Sequence, residues 1–210
     1  MRTDRELFKS CSAEKATKII RDHLGGLTLD VGCFDGLIVS THREAIGIDI
    51  ILNKSYVPFV LADMHHLPFK AVSFNTVVMC HVLEHTNKPD LALKEAGGVL
   101  QVNGKLIIAI PNARNPASVL LRFLIGYDGH AFPKETAESY AKHRIFLGAN
   151  DLTYLVQKQG FIIQKTFGTT PYLPKIERIF ELRLFRSFYW ELGDVFKKYA
   201  KDLIFIIKKS

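Results

Sequence analysis

The chain is poor in the features that staple or anchor a protein. Its 210 residues hold three cysteines, Cys11, Cys33 and Cys80, and no CxxC pair. An odd count without paired spacing argues against a disulfide framework and predicts reduced thiols and a cytoplasmic setting. The first residues, Met1-Arg-Thr-Asp-Arg-Glu, are charged and carry no apolar signal core. No apolar run approaches the ~20 residues that span a bilayer. Even Val119–Ile125 is short and broken by Arg122. Internal repeats, low-complexity tracts and linkers are also missing, so one domain over 1–210 is expected.

Two phosphate-binding signatures are absent as well. Counting from Gly32, the second and third glycine positions of G-x-G-x-x-G hold Phe34 and Leu37. No Gly-Lys-Ser/Thr follows at P-loop spacing. A pyrophosphate cradle is therefore not expected. No RNA-binding module or dense basic tract is present, which argues against a nucleic-acid partner.

What the chain does have is 48% hydrophobic and 23% charged residues, the balance of an ordinary globular protein. Its net charge is +7, and residues 175–209 carry nine basic against five acidic side chains. That surplus suits an anionic partner, such as a membrane surface contacted weakly.

Short apolar runs alternate with helical patterns. Strands are expected at 27–31, 45–49, 58–62, 74–80, 105–110, 161–167 and 202–208. Helices are expected at 12–24, capped by Ser12; at about 89–100, opened by Pro89; at 151–159, capped by Asn150 or Asp151; and through much of 174–199. About seven residues, Leu37 to Arg43, remain for a first crossover helix. Such alternation predicts an α/β fold, a Rossmann-like doubly wound sheet with helices on both faces.

The organising stretch is Thr28-Leu-Asp-Val-Gly-Cys-Phe-Asp-Gly36, a buried strand that feeds a glycine-punctuated turn. Asp30, Asp49 and Asp63 each close a strand signal, and parallel strands deliver such ends to one edge. A ligand with ribose and adenine but no phosphate fits them. Asp49 suits the ribose hydroxyls and Asp63 the adenine amino group.

These pieces, with Gly47-Ile-Asp-Ile50, Leu61-Ala-Asp-Met64, Leu67-Pro-Phe69, Phe74–Met79, His81-Val-Leu-Glu-His85 and Ile107–Asn112, resemble a class I S-adenosylmethionine-dependent methyltransferase. The resemblance is to the broad group that includes quinone and small-molecule methyltransferases. It covers about residues 27–112, and the His143-Arg-Ile-Phe146 segment and final strand resemble the family's later half. It implies a seven-stranded, mostly parallel sheet with an antiparallel last strand. It also implies S-adenosyl-L-methionine as cofactor and S-adenosyl-L-homocysteine as product. By the same resemblance, Asp30, Gly32, Cys33 and Gly36 line the methionine part; Phe34, a departure from the family, either reshapes the loop or walls the cofactor pocket. Asp49 holds the ribose and Ile50 lies on the adenine. Asp63 and the Met64 amide meet the adenine edge. Cys80 and His81 lie near the sulfonium.

Phe34 stands where most members have glycine, an unfavourable exchange if the position needs positive φ. Together with the short crossovers, it keeps a second reading alive: a cofactor-binding or scaffold protein without turnover. An RNA methyltransferase is the third.

A hydroxyl acceptor would need a base or a metal. The base candidates are His81, His85, His130 and His143, with His81 and His143 foremost, while His65-His66 reads as an exposed loop pair. His81-Val-Leu-Glu84-His85 also matches the H-x-x-E-H zinc-protease pattern. That chemistry needs a helix, whereas this motif follows a strand, so no metal is expected. Residues 12–112 form the cofactor half. Segments 117–148 and 167–198, rich in large apolar residues, are left to contact a small-molecule or lipid-linked methyl acceptor.

Overall fold

The computed structural model describes residues 11–51, 57–116, 119–120, 123, 143–171 and 186–209. Helix α1 (Cys11–His23) leads into β1 (Thr28–Val31), β2 (Ala45–Asp49), β3 (Phe59–Leu61) and β4 (Phe74–Cys80). A single 3-10 turn, Leu83–His85, precedes α2 (Pro89–Val99) and β5 (Leu100–Pro111). Then come α3 (Ala149–Lys158), β6 (Phe161–Gly168), α4 (Arg186–Val195) and β7 (Asp202–Lys209).

All seven strands form one sheet in the order β3-β2-β1-β4-β5-β7-β6. β1 to β5 pair in parallel, with Asp30 between Gly47 and Val78. β7 lies antiparallel between β5 and β6. The seven-stranded, mostly parallel sheet with its antiparallel last strand is thus present.

Side chains alternate along the central strands, so the two faces build separate cores. Val77 and Met79 of β4 join Leu106 and Ile108 of β5 and Phe205 of β7, against Leu93 of α2 and Leu152 and Val156 of α3. On the other face Val78, Ile107, Ile204 and Ile206 pack against Ala16, Ile19 and Ile20 of α1. Helices cover both faces, as expected. Among the described residues, no helix is long and apolar enough to cross a membrane.

Several local expectations are revised. Ser12 lies inside α1, buried, and its hydroxyl meets Thr169 Oγ1 at 2.7 Å and the Asp202 carboxylate, instead of capping the helix. Residues 37–43 form turns and no crossover helix, because about seven residues cannot build more than two turns and recross the sheet. Gly148 is the N-cap of α3, and Asp151 supports it from the third helical position by accepting the Gly148 amide at 2.8 Å. β5 starts at Leu100, before the expected turn, with Asn103 in the left-handed region at φ 63°. Gly97 is tolerated within α2 because a Cβ there would press on the Phe161 ring at 3.1 Å. Residues 174–185 of the expected 174–199 helix and most of segment 117–148 lie outside the described residues, and α4 covers 186–195.

Lys15 ties α1 to the far side of the sheet. Its ammonium donates to the Gly168 and Thr169 carbonyls at 2.7 and 3.1 Å and to Asp194 at 2.8 Å, and also meets the Trp190 carbonyl.

Candidate active site

The carboxyl ends of β1, β2 and β4 meet at one edge, as the parallel pairing requires. The loop after β1 turns sharply there. Gly32 and Gly36 adopt φ 69° and 73°, and Phe34 between them adopts φ 52°. The left-handed conformation expected to disfavour a bulky residue is thus the one Phe34 takes. Its side chain stays 43% exposed. Gly32 also has no room for a Cβ, which would overlap the Val82 side chain. The turn after β4 is therefore packed directly on the glycine loop.

Asp49, the last residue of β2, closes this loop. Its Oδ2 accepts the Phe34 amide at 2.9 Å, and its Oδ1 accepts the Ile51 amide at 3.1 Å. Asp30 sits behind the loop, 1% exposed, with Oδ2 lacking any hydrogen-bond partner. Burial, with added repulsion from Asp35 and Asp49, pushes its carboxyl up to about 8. A cation set against this buried acid would draw it into the carboxylate form, so the unpaired oxygen beneath the glycine loop suits a positively charged ligand. Cys33 is buried beside it, and burial together with Asp30 pushes that thiol up to about 12. Burial, Asp30 and Glu84 hold the Cys80 thiol well above its usual value too. Both shifts favour the protonated thiol at neutral pH.

The third acid is held differently. Asp63 Oδ1 accepts the His65 amide at 2.9 Å and lies 2.6 Å from His65 Nδ1. Burial works to raise its pKa, but these two His65 bonds outweigh it and hold the carboxyl below the ordinary range. His65 Nε2 in turn lies 2.7 Å from Thr86 Oγ1, which accepts the Lys88 amide at 2.9 Å. His65 is thus a bridge between the ends of β3 and β4, and the expectation of an exposed pair holds only for His66. No local pattern marks this role, because the bridge exists only once Thr86 arrives from 21 residues away. Ile50 is 60% exposed beyond β2, and Met64 is half-buried against the core.

His81 follows β4 with φ 53°. Its Nδ1 lies 3.4 Å from Glu84 Oε1 and its Nε2 3.9 Å from Asp202 Oδ1. Burial lowers the imidazole pKa, yet the two carboxylates prevail and push it up to about 9. Glu84 is buried, and its own carboxyl is held below the usual range because His81 outweighs the burial penalty. His143, 8% exposed at its side chain, lies 3.9 Å from the same Glu84 oxygen. The structure therefore brings His81 and His143 to one acid, Glu84. His130 lies outside the described residues. The part played by Asp202 has no sequence signal, since it comes from the last strand. Glu84 was visible only as the acid of H-x-x-E-H.

Residues 29–108 match the methyltransferase domain family. An uncharacterized protein of Methanocaldococcus jannaschii is 26% identical over 200 residues, spanning 86% of this chain and 78% of its own length. A SAM-dependent methyltransferase of Thermotoga maritima superposes with a TM-score of 0.70 at 19% identity, covering 99% of this chain and 95% of that one. A second, from Archaeoglobus fulgidus, gives a TM-score of 0.64 at 19% identity, covering 99% and 96%. At this identity the structural likeness concerns the fold.

Proposed function

We propose that this protein is a class I S-adenosylmethionine-dependent methyltransferase that transfers the cofactor's methyl group to a small-molecule or lipid-linked acceptor, a reading supported by the match of residues 29–108 to the methyltransferase domain family. The observation that carries this reading is the buried carboxyl group of Asp30, whose Oδ2 lacks a hydrogen-bond partner, beneath a glycine loop closed by Asp49. A cofactor bearing a sulfonium and an ammonium, but no phosphate, matches that charge.

The residues divide the cofactor among them. Asp30, Gly32, Cys33 and Gly36 take the methionine portion, with Phe34 as a wall. Asp49 retains lone pairs beyond its two amide bonds and accepts from the ribose hydroxyls. Ile50 offers exposed apolar surface to the adenine, and Asp63 with the Met64 amide meets its edge. Cys80 and His81 border the transfer point.

Bound S-adenosylmethionine supplies a methyl group already activated on sulfur. The chain's part is to align the acceptor in line with the S–CH3 bond and to exclude water. Segments 117–148 and 167–198, apolar in sequence and unclaimed by the cofactor residues, supply the acceptor side.

Calorimetry with S-adenosylmethionine and S-adenosylhomocysteine tests the reading. Binding of both at one site per chain is expected, and failure to bind either would sink it. The left-handed Phe34 and the turn-only crossover at 37–43 favour one alternative, a cofactor-binding protein without turnover. Binding without methyl transfer to metabolite or lipid fractions would select that alternative.

A further inference from the structure

Glu84, His85 and His143 offer three ligand atoms that all lie within 4.8 Å of one another. They arrive from two distant parts of the chain. Glu84 and His85 sit on the single 3-10 turn after β4. His143 is held against that turn by backbone, since the Arg144 and Ile145 amides donate to the Glu84 carbonyl at 2.8 and 3.2 Å. The two imidazole rings lie 5.2 Å apart, centre to centre.

A second observation singles out Glu84. Its side chain is 3% exposed, and both carboxylate oxygens lack a hydrogen-bond donor. The His81 imidazolium lies 3.4 Å from Oε1 and supplies charge on that side, but out of hydrogen-bonding alignment. Oε2 is left buried with no donor, a costly state that a second cation would relieve. Two imidazoles and one carboxylate form a donor set for first-row divalent ions, and three protein ligands leave further positions open. The helix-borne H-x-x-E-H geometry is not what is present here. The turn is too short for His81 and His85 to share a helical face, and the second imidazole is His143.

We propose that Glu84, His85 and His143 bind one divalent first-row metal ion, and that its open position takes a hydroxyl oxygen of the methyl acceptor. The second half rests on the methyltransferase reading. The location suits it, because Val82, two residues before Glu84, packs against Gly32 of the cofactor loop. Coordination makes the hydroxyl more acidic. Its proton leaves to solvent, and an oxygen lone pair forms the new O–CH3 bond. The S–CH3 bond breaks and its electron pair stays on sulfur. The site thereby does the work that otherwise requires a general base.

Cobalt(II) added to chelator-treated full-length protein tests the ion directly. Visible d–d bands that saturate at one cobalt per chain, and that excess zinc removes, are expected. Glu84→Gln and His143→Ala should each weaken cobalt uptake by at least about tenfold, whereas His66→Ala, at an exposed imidazole outside the cluster, should not. Circular dichroism and S-adenosylhomocysteine binding check folding, and His143→Ala serves if the Glu84 variant fails to fold. S-adenosylhomocysteine binding without cobalt uptake overturns the metal site alone. Equal uptake by wild type and both variants also overturns it. Cobalt uptake without S-adenosylhomocysteine binding keeps the ion and removes its assignment to methyl transfer.

Discussion

The Phe34 amide donates to Asp49 Oδ2 at 2.9 Å, joining the loop after β1 to the last residue of β2. One acid therefore shapes the loop and also faces the proposed ribose. Asp49→Ala should weaken S-adenosylhomocysteine binding by about 1–3 kcal/mol through lost hydrogen bonds and a loosened loop. Titration calorimetry of wild type and variant measures this. An unchanged dissociation constant would remove Asp49 from the ribose site.

Phe34 itself sits at φ 52°, a conformation that costs a non-glycine residue about 1–2 kcal/mol. Phe34 is 43% exposed, so packing offsets only part of that cost. Phe34→Gly should raise stability by about 1 kcal/mol, less than the full strain because glycine gives back unfolded-state entropy. Denaturant unfolding midpoints would register the gain. A loss of stability would mean that the ring packs more strongly than its exposure implies.

Asp30 makes stability depend on pH. Its carboxyl is raised from 3.8 to about 8, so the folded protein holds this proton where the unfolded chain has lost it. The contribution is fully present below about pH 4 and is lost as pH rises through about 8. Between those limits wild type should lose up to about 1.4 kcal/mol per pH unit relative to Asp30→Asn. Parallel unfolding curves for the two proteins across that range would exclude the shift.

Gly193 of α4 crosses β6 where no side chain fits. A Cβ there would overlap the Thr169 carbonyl, and one at Gly168 would overlap the Gly193 carbonyl. Alanine favours helices by about 1 kcal/mol over glycine, yet the backbone overlap should win. Gly193→Ala is expected to destabilise by about 2–3 kcal/mol net, read as a lowered unfolding midpoint. Gly98→Ala in α2, where nothing lies within 4 Å, is its control and should stabilise slightly.

The strands and the loop could be read from the chain because their signals are local. Ala45–Asp49 and Phe74–Cys80 are short, mostly apolar runs, and their observed bounds match the expected ones. Gly32 and Gly36 announce a turn that only positive φ can make. Residues that act across long sequence distances gave no such notice. Ser12 reads as a cap until Thr169 and Asp202 come to meet it. His65 reads as a loop residue until Thr86 completes its bridge. The H-x-x-E-H motif pointed away from a metal because its helix is missing. His143, the third residue of the proposed metal site, lies far along the chain, beside a segment pinned by backbone bonds that no side-chain pattern encodes.

β7 also bears on how the protein comes into being. It lies inside the sheet, bonded on one side from Lys105 to Pro111 and on the other from Phe161 to Gly168, yet it is made last of the seven strands. Until residues 202–209 leave the ribosome, β5 and β6 each present an open edge toward an empty slot. A nascent chain of this protein therefore cannot close its sheet until β7 has been made. In that interval its two bare edges are the surfaces a chaperone would need to shield.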